Sequence, residues 1–309
     1  MKRALLAVFG LLIVGLLAYG LKASLQPKRQ SPTSQGSGKI KVVASFYPLA
    51  EFTSQVAKEH AEVTNMTPAG AEPHDYEPTP QQIAGIYNAK LLVANGAGLD
   101  PWANKIKSDL QAHGIAVISL SDQFQLLPPP DQESTADPHF WLDPALSQQE
   151  VGAIRDALIK VDPVNAGDYQ KNAAGYIGQL KALDQQYQQG LASCTKHDVV
   201  TSHAAFGYLA KHYGLNQIAI AGLSPDAEPS AARMAEIAQE AKQKDIKVIF
   251  FETLVSPKLA QTIATEIGAQ TAVFNPLEGL TDEELQQGKN YISVMQDNLN
   301  NLRSALECK

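Results

Sequence analysis

Twice along this chain, four short β-branched runs alternate with longer segments of helical apolar spacing. IKVVASF (40–46), AEVTNMT (61–67), KLLVAN (90–95) and GIAVISL (114–120) read as strands, with PLAEFTSQVAKEH and PWANKIKSDLQAH as helices among them. The second set of strands is DVVTS (198–202), QIAIAG (217–222), KVIFFE (247–252) and TAVFN (271–275). HAAFGYLAKHYG, SAARMAEIAQEAKQK and PKLAQTIATEIG are the helical segments between and around them. Alternation of this kind predicts parallel sheets with helices on both faces. The expected fold class is therefore α/β, in two lobes. A length of 309 residues suits two domains better than one small core.

Between the two sets lies a different pattern. Asp162-Pro163 supplies an expected cap and first turn. Tyr169, Tyr176, Leu180, Leu183, Tyr187 and Leu191 then recur at helical spacing. The pattern alone permits a rigid helix linking the lobes or a long surface helix of one of them. A second Asp-Pro step, Asp143-Pro144, is expected to cap and open the helix of SQQEVGAIRDALIKV, and YISVMQDNLNNLRSAL reads as the final helix. The expected domain limits are 39–162 for the N-terminal lobe, 163–192 for the linker helix and 193–309 for the C-terminal lobe.

Composition narrows the function classes. With 44% hydrophobic and 18% charged residues the chain is a folded protein, not a disordered one. A net charge of -7 without a basic stripe in the mature part argues against nucleic acid as a partner. Lys2 and Arg3 precede ALLAVFGLLIVGLLAYGL, 18 residues without a charge. Such a stretch lies between the length of a signal peptide's apolar core and that of a membrane span. We read residues 1–21 as an uncleaved membrane anchor, with a cleaved signal as the alternative. Either way the body is extracytoplasmic. Residues 22–38 read as a flexible stalk. The two cysteines, Cys194 and Cys308, permit one intrachain disulfide in an exported protein, two free thiols being the other possibility.

Seven histidines occur. His60, His113, His197 and His212 sit at helix ends or in polar surroundings, where a cation is welcome. Three others sit on loops that follow strands, where ligands collect in open α/β sheets. His74 lies in TPAGAEPHDYEPTP after the second strand, His139 in DPHFWLDP, and His203 directly after DVVTS. Three convergent imidazoles make a common zinc shell. Glu278, in VFNPLEGLTDEE after the last strand, would close a His-His-His-Glu tetrahedron. Its alternative is a solvated acid beside Asp282, Glu283 and Glu284, with water or Glu72 filling the fourth position.

GAEPHDYEPTP, DPHFWLDP, VVTSHAAFGYLAKHYGL, SPDAEPS and FNPLEG occur in this order. Together they resemble the metal-binding cluster of ABC-transporter substrate-binding proteins, the ZnuA, AdcA and TroA type, over essentially everything after residue 38. The resemblance implies two Rossmann-like lobes with parallel sheets, joined by one long rigid linker helix, with one metal in the interlobe cleft. It implies metal-ligand roles for His74, His139 and His203 and, in the AdcA-like branch, for Glu278. It further implies delivery of the ion to an ABC permease by a chain expected to be monomeric. Manganese-type relatives have Glu in place of His203 and Asp just after the last strand. Here His203 and Asn275-Pro276 stand instead, so Zn2+, one per chain, is expected over Mn2+. Glu228 and Glu252 match family positions and are given supporting rather than ligating work. DQFQLLPPPDQESTAD lacks the histidines of the long loop found in many ZnuA-like proteins. A manganese or iron receptor and a metal-dependent surface adhesin use the same fold. A zinc hydrolase is disfavoured, because the chain has no HExxH and four ligands would leave no open position for water.

Overall fold

Each half of the chain closes its own four-stranded sheet, and every pairing is parallel. A computed structural model describes residues 38–128 and 135–309. The expected anchor, the stalk up to residue 37 and part of the histidine-poor segment lie outside the described residues. The first sheet holds β1 (Ile40–Ala44), β2 (Ala61–Asn65), β3 (Leu91–Ala94) and β4 (Ala116–Ser119), in the order β2-β1-β3-β4. The second repeats it with β5 (Asp198–Thr201), β6 (Asn216–Ala219), β7 (Val248–Phe251) and β8 (Gln270–Val273), in the order β6-β5-β7-β8. β3 is buried along its whole length, as a strand covered on both faces requires, while edge strand β2 alternates. In both sheets the chain leaves the first strand to one side and returns to the other, which opens a crevice at the carboxyl ends.

The helices are α1 (Tyr47–Ala57), α2 (Pro80–Ile86), α3 (Pro101–Ala112), α4 (Pro144–Val161) and α5 (Ala166–Leu191) in the first part. Then come α6 (Gly207–Tyr213), α7 (Ala231–Gln243), α8 (Lys258–Ile267), α9 (Asp282–Gln286) and α10 (Tyr291–Ala305). Asp143 caps α4 as expected, accepting from the Ala145 N–H at 2.8 Å. Asp162 does not cap in the expected way. Its carboxylate accepts from the Tyr169 hydroxyl at 2.5 Å and from Asn165 at 2.7 Å, and a 3-10 turn (Pro163–Asn165) leads into α5. The short helices α2 and α9 are additions to the expected elements. Both start at capping boxes, Thr79 with Gln82 and Thr281 with Glu284.

Lys39–Lys309 form one compact unit, and α5 is the reason. Its 26 residues span ~39 Å at 1.5 Å each. Tyr169, Ala173, Tyr176, Leu180, Leu183, Tyr187 and Leu191 are all buried along it. The helix packs on α1 and α4 from the first half and on α10 and α6 from the second. A single core accordingly runs from Phe46 and Phe52 through Trp141 and Leu183 to Phe206, Phe250 and Tyr291. Hydrogen bonds cross the same boundary. Trp141 Nε1 donates to the Pro276 carbonyl at 2.8 Å, Tyr291 to the Trp141 carbonyl at 2.5 Å, and Tyr208 to the Asp137 carbonyl at 2.8 Å. Cys194 and Cys308 stand opposite each other as an isolated antiparallel pair, their sulfurs in bonding contact. Among the described residues no helix is long and apolar enough to cross a membrane.

Leu183 is 1% exposed, whereas its neighbour Lys181 faces solvent. Leu183→Ala should destabilise the metal-free protein by about 2–5 kcal/mol, and Lys181→Ala by no more than about 0.5 kcal/mol. Urea unfolding of the two variants against the parent chain measures both.

Candidate metal centre

Four loops at the carboxyl ends of strands bring four donors to one point. His74 Nε2, His139 Nε2, His203 Nε2 and Glu278 Oε1 form a group whose ligand atoms all lie within 4.8 Å of one another. His74 comes from the loop after β2, and its N–H donates to Glu72 Oε1 at 3.1 Å. His139 precedes a 3-10 turn (Phe140–Leu142) between β4 and α4. His203 follows β5, and α6 begins only at Gly207. Residues 203–206, expected to be helical, are instead irregular, and the imidazole faces the first sheet's loops. Glu278 follows β8. It is 1% exposed, so it is not the solvated acid that Asp282 and Glu283 are. Glu72 contacts the His74 backbone and is not among the four.

The spacing is that of a coordination shell. His74 to His139 is 3.2 Å, His74 to Glu278 3.2 Å, His139 to His203 3.3 Å, His203 to Glu278 3.1 Å and His139 to Glu278 3.3 Å. A regular tetrahedron with edges of about 3.3 Å has its centre ~2.0 Å from each vertex, a zinc–nitrogen bond length; five of the six edges match it, and the sixth, His74 to His203, lies within 4.8 Å.

Two carboxylates fix which nitrogens face inward. Asp137 Oδ1 meets both the His139 N–H at 2.9 Å and His139 Nδ1 at 2.8 Å. Glu252 Oε1 meets the His203 N–H at 3.2 Å and His203 Nδ1 at 2.7 Å. Each carboxylate therefore keeps a proton on Nδ1, and in the neutral ring Nε2 is left with its lone pair turned to the centre. Glu252 thus does the supporting work that the resemblance implies. Asp137 is not among the expected site residues, although an Asp two residues before a histidine is the signal of an Asx turn. Gly207 explains its fit: a Cβ there would come 2.6 Å from Asp137 Oδ2. His60, His113 and His212 find partners elsewhere, in Asp168, the Asp109 carbonyl and Asp143. Glu228 is exposed and outside the group.

The electrostatics derive from burial. Burial alone would push the Glu278 carboxyl up, but His203 and hydrogen bonds from all three imidazoles hold it well below the usual range. Burial opposes protonation of His203 and His139, yet Glu252 and Glu278 carry His203 well above the ordinary value and Asp137 and Glu278 raise His139. His74 has no such carboxylate on its far side among the described residues, and burial lowers it. Burial and the Glu278 charge push Glu72 up to about 9. Without an ion, His139 and His203 thus bind a proton more readily than free imidazoles do, and Glu278 less readily than a free carboxylate.

The fold and these donors define a two-lobed protein with a buried group that could hold one metal ion. Residues 42–305 match the family model ZnuA, "Zinc-uptake complex component A periplasmic", and the chain belongs to that family. It is 42% identical over 292 residues to the high-affinity zinc uptake system protein ZnuA of Bacillus subtilis, covering 90% of this chain and 91% of that one. It is also 42% identical to the zinc-binding lipoprotein AdcA of Streptococcus pneumoniae, but spans 58% of that longer protein. The crystal structure of the Zn(II)-bound ZnuA-like domain of the same AdcA superposes with a TM-score of 0.79 at 43% identity, covering 87% of this chain and 100% of that domain.

In the metal-free protein His139, His203 and Glu72 hold protons more tightly folded than unfolded. Their stabilisation is present below the unfolded values and lost as pH rises through the raised folded ones. His74, lowered, works the other way between its folded value and 6.5, but stands against three. Metal-free protein should therefore melt at a higher temperature at pH 6 than at pH 8, as thermal unfolding in the presence of a chelator would measure. An equal or higher melting temperature at pH 8 contradicts the raised proton affinity of His139, His203 and Glu72.

Proposed function

We propose that this chain is an extracytoplasmic zinc receptor that binds one ion through His74, His139, His203 and Glu278 and delivers it to an ABC permease. One observation carries the reading: three imidazole Nε2 atoms and a carboxylate oxygen converge within 4.8 Å of one another, three of the four side chains fully buried. The nitrogen-rich set favours zinc, since manganese prefers oxygen donors. The carboxylate cancels one of the ion's two charges, which three neutral imidazoles cannot do. Four protein ligands leave no site for a reactive water, so the arrangement suits capture rather than turnover. His74 is 9% exposed in its side chain, while the other three ligand side chains are fully buried. The ion accordingly enters and leaves past His74.

The same proposal takes 39–162 and 193–309 as the lobes and 163–192 as the linker helix, in a chain acting as a monomer. Residues 1–21 would hold it to the outer face of the membrane, or be removed if they serve as a signal. Cys194 and Cys308 would be oxidised in that compartment, tying the end of α10 to the segment after α5.

Protein purified without added metal should carry one zinc per chain by elemental analysis. Manganese in its place, or two tight zinc equivalents, refutes the single-site reading. Glu278→Ala should still bind zinc, but with an affinity loss beyond the about 10–100-fold that removing an outer hydrogen-bond partner costs. Competition with a chelator of known affinity measures it, and an unchanged constant would remove Glu278 from the shell.

Thiol titration of unreduced, unfolded protein from the exported compartment should find no free cysteine. Reduction should lower its stability by up to about 4–5 kcal/mol, the chain-entropy ceiling for a bridge that closes more than a hundred residues. Two titratable thiols refute the bridge.

A further inference from the structure

The loop that carries Glu278 leaves the edge of a sheet. β8 pairs with β7 alone, and just beyond it the Phe274 N–H donates to the Phe251 carbonyl at 2.9 Å. Backbone groups pointing the other way from an edge strand have no strand to meet. Two asparagines of α10 take that place. Asn301 Nδ2 donates to the Val273 carbonyl at 2.9 Å. Asn298 makes two bonds to one residue: its Oδ1 accepts from the Asn275 N–H at 2.9 Å, and its Nδ2 donates to the Asn275 carbonyl at 2.7 Å. A primary amide carries a carbonyl and an N–H side by side, so it pairs with a residue's two backbone groups as a neighbouring strand would. Asn298 and Asn275 are 1% and 2% exposed. Water cannot stand in for this pair.

Asn275 in turn shapes the backbone that leads to Glu278. Its Oδ1 accepts from the Leu277 N–H at 2.7 Å. Leu277 is fully buried at φ 56, the left-handed region that a leucine enters only when its surroundings impose it. The Pro276 carbonyl is meanwhile held by Trp141, two residues past His139. Glu278 is the next residue after the strained one, so its direction depends on the strain being maintained.

We propose that Asn298 is a positioning residue of the metal site. By holding Asn275 on both backbone groups it maintains the Leu277 turn, and so aims Glu278 Oε1 at the three imidazoles. α10 contributes none of the four donors, so the effect reaches the ion only through Glu278. The inference rests on the reading of Glu278 as a ligand.

The test is zinc affinity and Co2+ absorption of the full-length chain, in Asn298→Ala, Glu278→Ala and the double variant. Asn298→Ala should weaken zinc binding by about 10–100-fold and lower the intense visible absorption that Co2+ shows in a tetrahedral shell. In the Glu278→Ala background the same change should have little further effect. If Asn298→Ala does not fold, Asn298→Asp decides by the same readings, since it keeps the acceptor and turns an oxygen against the Asn275 carbonyl. A folded variant with parental affinity and cobalt spectrum overturns the proposal, as does full additivity with Glu278→Ala. Were the parent chain itself to bind no zinc, the receptor reading would fall instead; parental binding with indifferent Asn298 variants removes the positioning role alone.

Discussion

Four acceptor atoms turned toward one point repel each other, and the structure is organised around holding them there. Nothing in the local preferences of four loops would bring the Nε2 lone pairs of His139 and His203 to 3.3 Å or set the Glu278 oxygen 3.1 Å from His203. The free energy for that convergence comes from elsewhere in the fold. Asp137 and Glu252 lock two rings by gripping backbone and side chain of the same residue. The continuous core through α5 prevents the lobes from relaxing the crowding by moving apart. A cation or a set of protons then converts the repulsion into attraction.

How much of this is legible in the sequence depends on the range of the interactions. The strands and α5 are legible because burial imposes a period, and Tyr169 through Leu191 carry that period without interruption. Glu278 is legible only as a candidate, since a glutamate beside Asp282 and Glu284 looks like any loop acid until its burial is known. Asp137 escapes a sequence reading because its role is a contact with His139 that also depends on Gly207 from the other half of the chain. The helices α2 and α9 escape it for a lesser reason: their capping boxes are present, but each runs for too few residues to show an apolar period. The expectation that HAAFGYLAKHYG is helical throughout fails where function intervenes. Residues 203–206 lie outside the helix, which begins at Gly207, and His203 turns inward.

The division of the four donors, His74 and His139 from the first half and His203 and Glu278 from the second, would ordinarily suggest lobes that close on what they bind. The packing argues against it. α5 is buried against helices of both halves, and Trp141, Tyr208 and Tyr291 hydrogen-bond across the boundary close to the site. Separating the lobes would expose this core, whose aromatic members alone represent several side chains worth roughly 1.5–3 kcal/mol each in burial. A hinge of that cost is not available to a single ion whose coordination must remain reversible.

If the proposed site binds an ion, its exchange would therefore be local, and the four donors are not equally placed for it. His139 and His203 are fully buried and each is gripped twice by a carboxylate. Glu278 comes just after a turn fastened to both α10 and Trp141. His74 is the exception: its loop is punctuated by glycine and proline, its ring retains some exposure, and Glu72 holds its backbone rather than its far nitrogen. Three donors thus form a preorganised cup, and the fourth closes it. On the proposed reading, selectivity would reside in the cup, whose nitrogens and single carboxylate suit zinc better than a larger, oxygen-preferring ion. On the same reading, release past His74 would cost the contacts of one loop rather than those of a core.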